Sequence, residues 1–387
     1  MSEWIAALIV YGIIGLIIYF NRKKFVVMSK VIFAYMTKKP IAWMDKLSKA
    51  GRLWKVYSTI CIPIGFYYMV IVFYSLLQNA INIIITPSAG AGVAPLIPGV
   101  QIPGSPIYVP LFYGLIAIGV LAFIHEFAHG VIARTEGIRV KNTGFGLALI
   151  FPFFFVEPNE KDVNESSKLS RLRFTSAGAS SNILLSMGLL LLSLTLLPFI
   201  ESNVELTGIQ IAGVYPNYPA ENAGIMTGEI IRSIDGKTVI NLTMFSELLK
   251  EYNPSDTIIL TTDNNTYSIT LAKNPNNELM PYIGVSLKQL TEFSAYSKQV
   301  YGSLLDFLLI VYELLTWIAL LNFFVGIINL LPMWFLDGGK MLYDLLSYFI
   351  PKKYVNKITA VIFNTSLILL IINIMPFFTN LFVTILS

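Results

Sequence analysis

The sequence predicts a polytopic α-helical membrane protein with about six transmembrane helices and one inserted soluble α+β domain. Hydrophobic residues make up 55% of the 387 residues and charged residues only 13%. The mean hydropathy is +0.67, which is not typical of a soluble domain. Six apolar runs are long enough to cross the roughly 30 Å hydrocarbon layer. Between the fourth and fifth runs, residues 203–290 instead carry more charge and short alternating patterns.

The apolar runs divide the chain into four parts. The runs lie at about 4–20, 57–85, 108–133, 174–200, 304–331 and 358–386. The parts are the N-terminal spans and loops (1–107), the first part of a membrane core (108–202), the soluble domain (203–290) and the second part of the core (291–387). Basic residues, not a small-residue cleavage site, follow the first run, so we interpret it as a retained anchor.

Basic residues predict the orientation of the spans. They cluster in the segments 21–55, 134–173 and 340–357, and the positive-inside rule places all three on the cytoplasmic side. The N-terminus and residues 203–290 are then expected outside. The net charge of +4 is too small to indicate nucleic acid, so we expect no such partner. With Cys61 as the single cysteine, an intramolecular disulfide and a Cys-rich zinc site are both excluded.

A His-Glu-x-x-His motif lies in the third run and is formed by His125, Glu126 and His129. On a helix, residues four apart share a face, so both imidazoles can bind one metal ion, with Glu126 beside them as candidate general base. The chain contains only 2 His, and both are in this motif. The alternative, two helix histidines satisfied by their neighbours, does not account for the glutamate. The motif therefore predicts a zinc site within a membrane.

The third protein ligand of such a zinc site must be a carboxylate, because no other histidine is present. Asp337 is favoured: two glycines follow it, and Pro332 breaks the preceding helix. A carboxylate among apolar neighbours is costly unless it is paired or binds a metal. The alternatives are a helix-capping Asp337 or an ion pair with Lys340. Glu313 is a rival ligand that the topology places near the outer end of its span.

Two further segments are candidates for the surroundings of the site. Residues 142–156 are apolar, rich in glycine and aromatic residues, and too short to span, which is equally consistent with a re-entrant or interfacial hairpin and with a membrane-surface loop carrying apolar side chains. In the fourth run, Asn182 follows small residues that let helices approach closely. A helix–helix hydrogen bond and a role at the site are both open for Asn182.

The soluble domain has the pattern of a small mixed domain. Strands are predicted at 208–214 and 229–236, a helix at 244–252, and a hairpin from 257–262 and 266–272. This order resembles a PDZ domain of the circularly permuted kind seen in bacterial proteases. The resemblance implies a peptide-binding loop and the capture of a chain end by strand addition. The loop residues would be Tyr282, Ile283, Gly284 and Val285.

The His-Glu-x-x-His motif and a second motif, Asn-x-x-Pro-x-x-x-x-Asp-Gly-Gly at 329–339, together resemble the site-2 protease family of intramembrane zinc metalloproteases, and in particular its eukaryotic-type branch. The resemblance covers most of the chain after residue 108. It implies one zinc ion per chain held by His125, His129 and Asp337, with water activated by Glu126, and a substrate backbone or oxyanion held by Asn329 and Asn182. Many members have Gly-Pro before this last asparagine, where this chain has Gly178 and Ala179.

The resemblance also implies the activity. We expect hydrolysis of a peptide bond within or near a transmembrane segment of a membrane-anchored protein, as in regulated intramembrane proteolysis. The expected location is the lipid bilayer of a prokaryotic cell membrane, with the zinc towards the cytoplasm and the PDZ-like domain outside. The alternatives are a catalytically silent scaffold that binds peptides through that domain, or another membrane metallopeptidase such as a prenyl-protein endopeptidase. Glu126 argues against the first alternative, and the Asp-Gly-Gly motif argues against the second.

Overall fold

The computed structural model describes residues 3–20, 26–29, 32–85, 91–100, 107–148, 151–275 and 277–386. The chain divides into two compact units, Met1–Leu194 with Val311–Ser387, and Thr195–Ile310. The first unit contains long apolar helices and a small sheet, and the second is built mainly on antiparallel strands. The predicted fold class, a helical membrane protein with an inserted mixed domain, is confirmed.

Twelve helices are present in the described part of the chain. They are α1 (Glu3–Phe20), α2 (Lys39–Ser48), α3 (Gly51–Ile85), α4 (Leu111–Thr135), α5 (Glu160–Glu165), α6 (Lys168–Glu201), α7 (Pro219–Asn222), α8 (Leu242–Leu249), α9 (Ala295–Tyr301), α10 (Ser303–Asn329), α11 (Asp337–Phe349) and α12 (Lys352–Leu386). Among the described residues, α3, α4, α6, α10 and α12 are long and apolar enough to cross a membrane. The first predicted span falls in α1, whose 18 residues rise about 27 Å.

The strands form three antiparallel sheets. They are β1 (Val26–Ser29), β2 (Ile32–Thr37), β3 (Val140–Ala148), β4 (Phe151–Pro158), β5 (Val204–Val214), β6 (Ile230–Ile234), β7 (Lys237–Thr238), β8 (Thr257–Thr262), β9 (Thr266–Thr270), β10 (Ala272–Asn274), β11 (Asn277–Tyr282) and β12 (Val285–Phe293). The orders are β1-β2-β3-β4, β10-β11 and β12-β5-β6-β8-β9, with β7 beside β6.

The predicted hairpin at 142–156 is present as β3 and β4; residues 149 and 150 lie outside the described part. The structure adds β1 and β2, which the sequence analysis assigned to a basic loop, so that β3 is a central strand and β4 an edge strand. Arg139 fixes the start of β3 through two hydrogen bonds of 2.7 Å to Asp162. These bonds, with one from the Arg139 backbone, lower the pKa of the Asp162 carboxyl to about 2.

The membrane helices pack through small residues around the site. A Cβ added to Gly326 of α10 would lie 3.2 Å from the Ala179 carbonyl oxygen of α6. A Cβ on Gly65 of α3 would lie 2.6 Å from Met341 Cε of α11. Met341 also packs with Ala179 and Ile183 in one buried cluster. Close packing of small residues is the main source of helix association in lipid, and here it fixes α11 against α6.

The second unit has its own apolar core. Strand β8 alternates buried residues with more exposed ones, as expected for a sheet with one face covered. The fully buried side chains include Ile209, Ile231, Ile258 and Leu260, each contributing about 1.5–3 kcal/mol of burial free energy. Asn241 is the N-cap residue of helix α8, and its side-chain oxygen accepts a hydrogen bond of 2.7 Å from the Met244 N–H.

Candidate metal centre

His125, His129 and Asp337 converge on one point, although the aspartate lies 208 residues from the second histidine. The two Nε2 atoms are 3.2 Å apart. Asp337 Oδ2 lies 3.2 Å from His125 Nε2 and 3.0 Å from His129 Nε2. Helix α4 brings the two imidazoles together because they are four residues apart on one face.

The tautomer of His129 is fixed by a backbone group. Its Nδ1 lies 2.8 Å from the carbonyl oxygen of Phe174. A carbonyl can only accept a hydrogen bond, so Nδ1 carries the proton and Nε2 of the neutral ring presents a lone pair. That lone pair faces the carboxylate of Asp337. Two acceptors at this distance require a cation or a proton between them, so the orientation of His129 suits a metal ligand.

The three side chains fit a zinc ion by donor type and by spacing. Two imidazole nitrogens and one carboxylate oxygen form a known ligand set for catalytic zinc. Tetrahedral donors at about 2.0–2.1 Å from zinc lie about 3.3 Å from one another, and the three observed separations are 3.0–3.2 Å. Two of the three side chains are largely buried, since the His129 and Asp337 residues are 7% and 6% exposed.

Gly178 leaves room for the histidines. A Cβ at this position of α6 would collide with His129 Nε2 and would lie 2.7 Å from His125 Nε2. Any larger residue would occupy the space in front of both nitrogens. In the sequence, Gly178 belongs only to a departure from the family pattern, and its position beside the histidines is seen in the structure.

Asp337 is positioned by the two glycines that follow it. A Cβ on Gly338 or Gly339 would collide with the carbonyl oxygens of Leu330 or Met333 respectively. The first turn of α11 can therefore lie directly on the 330–336 turn. The ion pair considered as an alternative is also present, because Lys340 Nζ lies 3.5 Å from Asp337 Oδ1. It uses the other carboxylate oxygen and leaves Oδ2 with the histidines.

Glu313, the rival ligand, lies elsewhere. It is in α10, 16 residues before Asn329, which corresponds to about 24 Å along the helix. Its carboxylate lies beside the hydroxyl of Tyr113. It is not a member of the His-His-Asp group found among the described residues.

Glu126 lies beside the His-His-Asp group and contacts the edge strand. Its Oε2 accepts a hydrogen bond of 2.9 Å from the backbone N–H of Val156 in β4. Because this N–H points to α4, it points away from β3. Residues alternate along a strand, so the backbone groups of Phe154 point away from β3 as well. Pro152 is two residues before Phe154, so its backbone also faces away from β3. A proline is tolerated at this position because its missing N–H would not have bonded to β3.

The structure places the two candidate asparagines differently. Asn329, the last residue of α10, lines the same cavity as His125, Glu126 and Asp337. Asn182 is fully buried behind His125 and is not among the cavity-lining residues. Its Nδ2 lies 3.4 Å from His125 Nδ1, and its Oδ1 has no hydrogen-bond partner among the described groups.

The cavity has a volume of about 1590 Å³ and reaches from the histidines along β4 to helices α11 and α12. Its walls combine apolar groups, such as Phe154 and Phe363, with charged groups, such as Lys168 and Arg171. It is large enough for several residues of an extended chain, and its charged part gives water a path to the site.

The loop predicted to bind peptides lies in the second unit, between β11 and β12. Gly284 has φ of +83°, and a Cβ there would collide with Tyr218. The carbonyl oxygens of Ile283 and Gly284 accept hydrogen bonds from Ala220 (2.8 Å) and Tyr215 (2.9 Å). In the described part of this sheet, β12 is an edge strand, beginning at Val285.

The fold and the site together define a class of protein, a polytopic membrane protein with a His-His-Asp group that could hold a metal ion and an adjacent glutamate, the residue types found in zinc-dependent hydrolases. The chain belongs to Peptidase family M50, the site-2 protease family, whose sequence model matches residues 113–373. The matched range contains both the histidine motif and Asp337.

Three relatives are similar in sequence. An uncharacterized protein of Methanocaldococcus jannaschii is 28% identical over 312 residues, covering 78% of this chain and 74% of the relative. A Clostridium perfringens protein whose name provisionally assigns it as a zinc metalloprotease is 22% identical, covering 65% of this chain and 93% of the relative. A membrane-bound transcription factor site-2 protease homolog of Arabidopsis thaliana is 27% identical, covering 35% of this chain and 26% of the relative.

Two solved domains are similar in fold to about a fifth of the chain. The PDZ domain of an SdrC-like protein from Listeria monocytogenes is 20% identical, with a TM-score of 0.20, and covers 21% of this chain and 90% of that one. The corresponding domain from Listeria innocua is 22% identical, with a TM-score of 0.19, and covers 21% and 92%.

Proposed function

We propose that this protein is an intramembrane zinc metalloendopeptidase that hydrolyses a peptide bond within or near a transmembrane segment of a membrane-anchored protein. The observation that carries the proposal is the convergence of His125, His129 and Asp337 beside Glu126, in a cavity between helices apolar enough to cross a membrane. Membership of Peptidase family M50 supports the same reaction class.

His125, His129 and Asp337 would hold the zinc ion, which when bound supplies Lewis-acid chemistry that acidifies water and polarises a carbonyl group. Glu126 would accept a proton from the attacking water and return it to the leaving amine. Its Oε2 is fixed by the Val156 N–H. Its other oxygen, Oε1, has no protein hydrogen bond among the described residues and remains able to take that proton.

The depth of the site supports a substrate within the membrane. Helix α4 ends at Thr135, and Arg134, in its last turn, pairs with Asp45. His129 and His125 lie five and nine residues before Arg134, or about 8 and 14 Å at 1.5 Å per residue. We propose that the end at Arg134 is cytoplasmic, as the positive-inside rule predicts, so that the metal lies below the inner surface.

We propose that the substrate binds as an extended strand on the free edge of β4. A helical peptide bond is shielded by its own hydrogen bonds, so a transmembrane segment must unwind before hydrolysis. Phe154 offers an N–H and a C=O that the β3–β4 ladder does not use. Asn329 would hold the substrate backbone from the other wall of the cavity, which it lines.

Phe154→Pro tests this strand addition. The substitution removes the outward N–H without breaking a ladder hydrogen bond. Cleavage is expected to slow by about three- to tenfold, because one backbone hydrogen bond contributes about 1 kcal/mol, while the zinc content measured by elemental analysis stays unchanged. Phe154→Ala, which removes the ring and keeps the N–H, is the matched control. If both variants slow cleavage equally, the ring and not the strand edge is responsible.

We propose that Asn182 acts on the metal through His125 and not on the substrate. Asn182 lies behind the ring that would bind zinc through Nε2, so its amide can orient that ring. Turning the amide by 180° would place Oδ1 next to His125 Nδ1. The buried oxygen would then gain the partner it lacks, and Nδ1–H would gain an acceptor.

We propose that the inserted domain selects substrates before they reach the cavity. If the positive-inside rule holds for all three basic segments, the domain is expected outside and the zinc towards the cytoplasm, so that the domain would not supply catalytic groups. The 282–285 loop and the edge strand β12 are the features that would pair with a chain end. We favour a filter against bulky external domains over a tight receptor, because no cation is present in this loop.

The proposed activity is tested with the purified full-length chain in lipid nanodiscs together with a single-span substrate. The substrate should be cut into two fragments. The reaction should stop after treatment with a zinc chelator and resume when Zn²⁺ is restored. Cleavage that continues undiminished in the chelated protein would overturn the assignment as a zinc peptidase.

A further inference from the structure

A second cavity lies away from the metal centre, where three membrane helices end together. Its volume is about 580 Å³. It is lined by the first turns of α3, by Thr135 at the end of α4 and by Arg173 near the start of α6. The alternating topology predicts that these three helix ends lie on one side of the membrane. The cavity lies between them.

The cavity carries an excess of positive charge. Arg52, Lys55 and Arg173 line it, and none of its lining residues is acidic. Arg173 is balanced by Glu136, whose Oε1 lies 3.1 Å from Nη1. Among the described residues, no carboxylate lies within ion-pair distance of Arg52 or Lys55. Two cations are therefore available for an anion.

Hydrogen bonds fix the guanidinium of Arg173 and leave some of its N–H groups free to donate. Its Nε donates to the Thr59 hydroxyl at 3.0 Å, and its Nη1 donates to Glu136. The Nη2 group makes no hydrogen bond within the described structure, so the planar guanidinium can donate to an oxyanion in the cavity. The Thr59 and Thr135 hydroxyls donate to carbonyls of their own helices and do not compete for that anion.

The other wall of the cavity is apolar and continues along α3. Val56 and Ile60 line the cavity and are 54% and 51% exposed. Tyr67 and Val70 are exposed further along the same helix. In a membrane, such side chains face acyl chains. Cations at the helix ends and an apolar stripe beyond them match a molecule with an anionic head and hydrocarbon tails.

We propose that this cavity binds the phosphodiester headgroup of an anionic phospholipid, with the acyl chains against Val56 and Ile60. Arg52 and Lys55 supply the unbalanced charge, and Arg173 supplies oriented N–H groups. A free phosphate ion shares the headgroup chemistry but cannot use the apolar wall. The proposal concerns a surface outside the catalytic cavity and stands independently of the proposed function.

Native mass spectrometry of the full-length chain in detergent tests the proposal with phosphatidylglycerol and phosphatidylcholine of identical acyl chains. The wild type should bind phosphatidylglycerol about tenfold more tightly, and Arg52→Gln with Lys55→Gln should abolish that preference. Lys46→Gln with Lys49→Gln makes the same charge change at exposed positions outside the cavity and should retain it.

Three outcomes would overturn the proposal. Equal affinities of the wild type for the two lipids would exclude an anion site. Equal losses in the two double variants would show a general effect of surface charge. Displacement of phosphatidylglycerol by excess inorganic phosphate would identify a free anion as the ligand, since a lipid held by its chains as well should resist it.

Discussion

Asp337→Ala is expected to reduce bound zinc from one ion per chain to a trace. The substitution removes one of three protein ligands and leaves two imidazoles, which do not complete a catalytic zinc site. Elemental analysis after dialysis measures the loss directly. The same result is expected for His125→Ala and His129→Ala, because the three donor atoms surround one point.

Glu313→Gln is the matched control for Asp337→Ala. It removes a carboxylate from the middle of α10, beside the Tyr113 hydroxyl and apart from the histidines. Zinc content should be unchanged. If Glu313→Gln lost zinc and Asp337→Ala kept it, the ligand assignment would be wrong.

For Asn182→Ala, the zinc affinity should be measured by titration, and we expect it to be intermediate between that of the wild type and that of the ligand variants. Groups that orient a metal ligand without touching the metal typically contribute about ten- to a hundredfold to affinity. We therefore expect weaker but measurable zinc binding in this variant. Asn329→Ala, at the cavity wall, should bind zinc as the wild type does.

Glu126→Gln is expected to keep zinc and to reduce cleavage by about two to four orders of magnitude, the usual contribution of a general acid–base. The amide is nearly the same size as the carboxylate, and its oxygen can still accept from the Val156 N–H. It cannot take a proton from water. Single-turnover cleavage of a reconstituted substrate measures the effect.

The Glu126→Gln result is informative only when zinc is measured in the same preparation. Inactive protein with full zinc content supports the role of general base. Inactive protein without zinc would show that the glutamate is needed for the metal site instead. Full activity in the variant would exclude Glu126 as the base.

The sequence predicts the site well where the chemistry depends on the spacing of nearby residues or on a break in an apolar helix. The i, i+4 histidines required only that 111–135 be helical, and its apolar length made a helix the expected spanning structure. Asp337 is predicted as the third ligand because Pro332 and two glycines interrupt an apolar segment, and the structure brings its carboxylate to the two histidines. The structure gives these glycines a reason, since α11 lies against backbone carbonyls that any Cβ would strike.

Contacts between segments that are far apart in the chain could not be predicted from the sequence. Strand β2 pairs with β3 more than one hundred residues later, and its short apolar run resembles the start of another span. The carbonyl of Phe174 orients His129, but every residue has a backbone carbonyl, so the residue type at 174 does not predict this contact. Likewise, the pairing of Glu126 with Val156 depends on which way one strand edge faces, and a hairpin prediction does not fix that direction.

The most direct test is to map the cut bond by mass spectrometry of the fragments from a reconstituted single-span substrate. An intramembrane zinc peptidase predicts new termini inside the apolar segment of the substrate, formed by the zinc-loaded wild type and absent with Glu126→Gln. Termini found only in the soluble flanks, or the same intramembrane termini produced by Glu126→Gln, would contradict it.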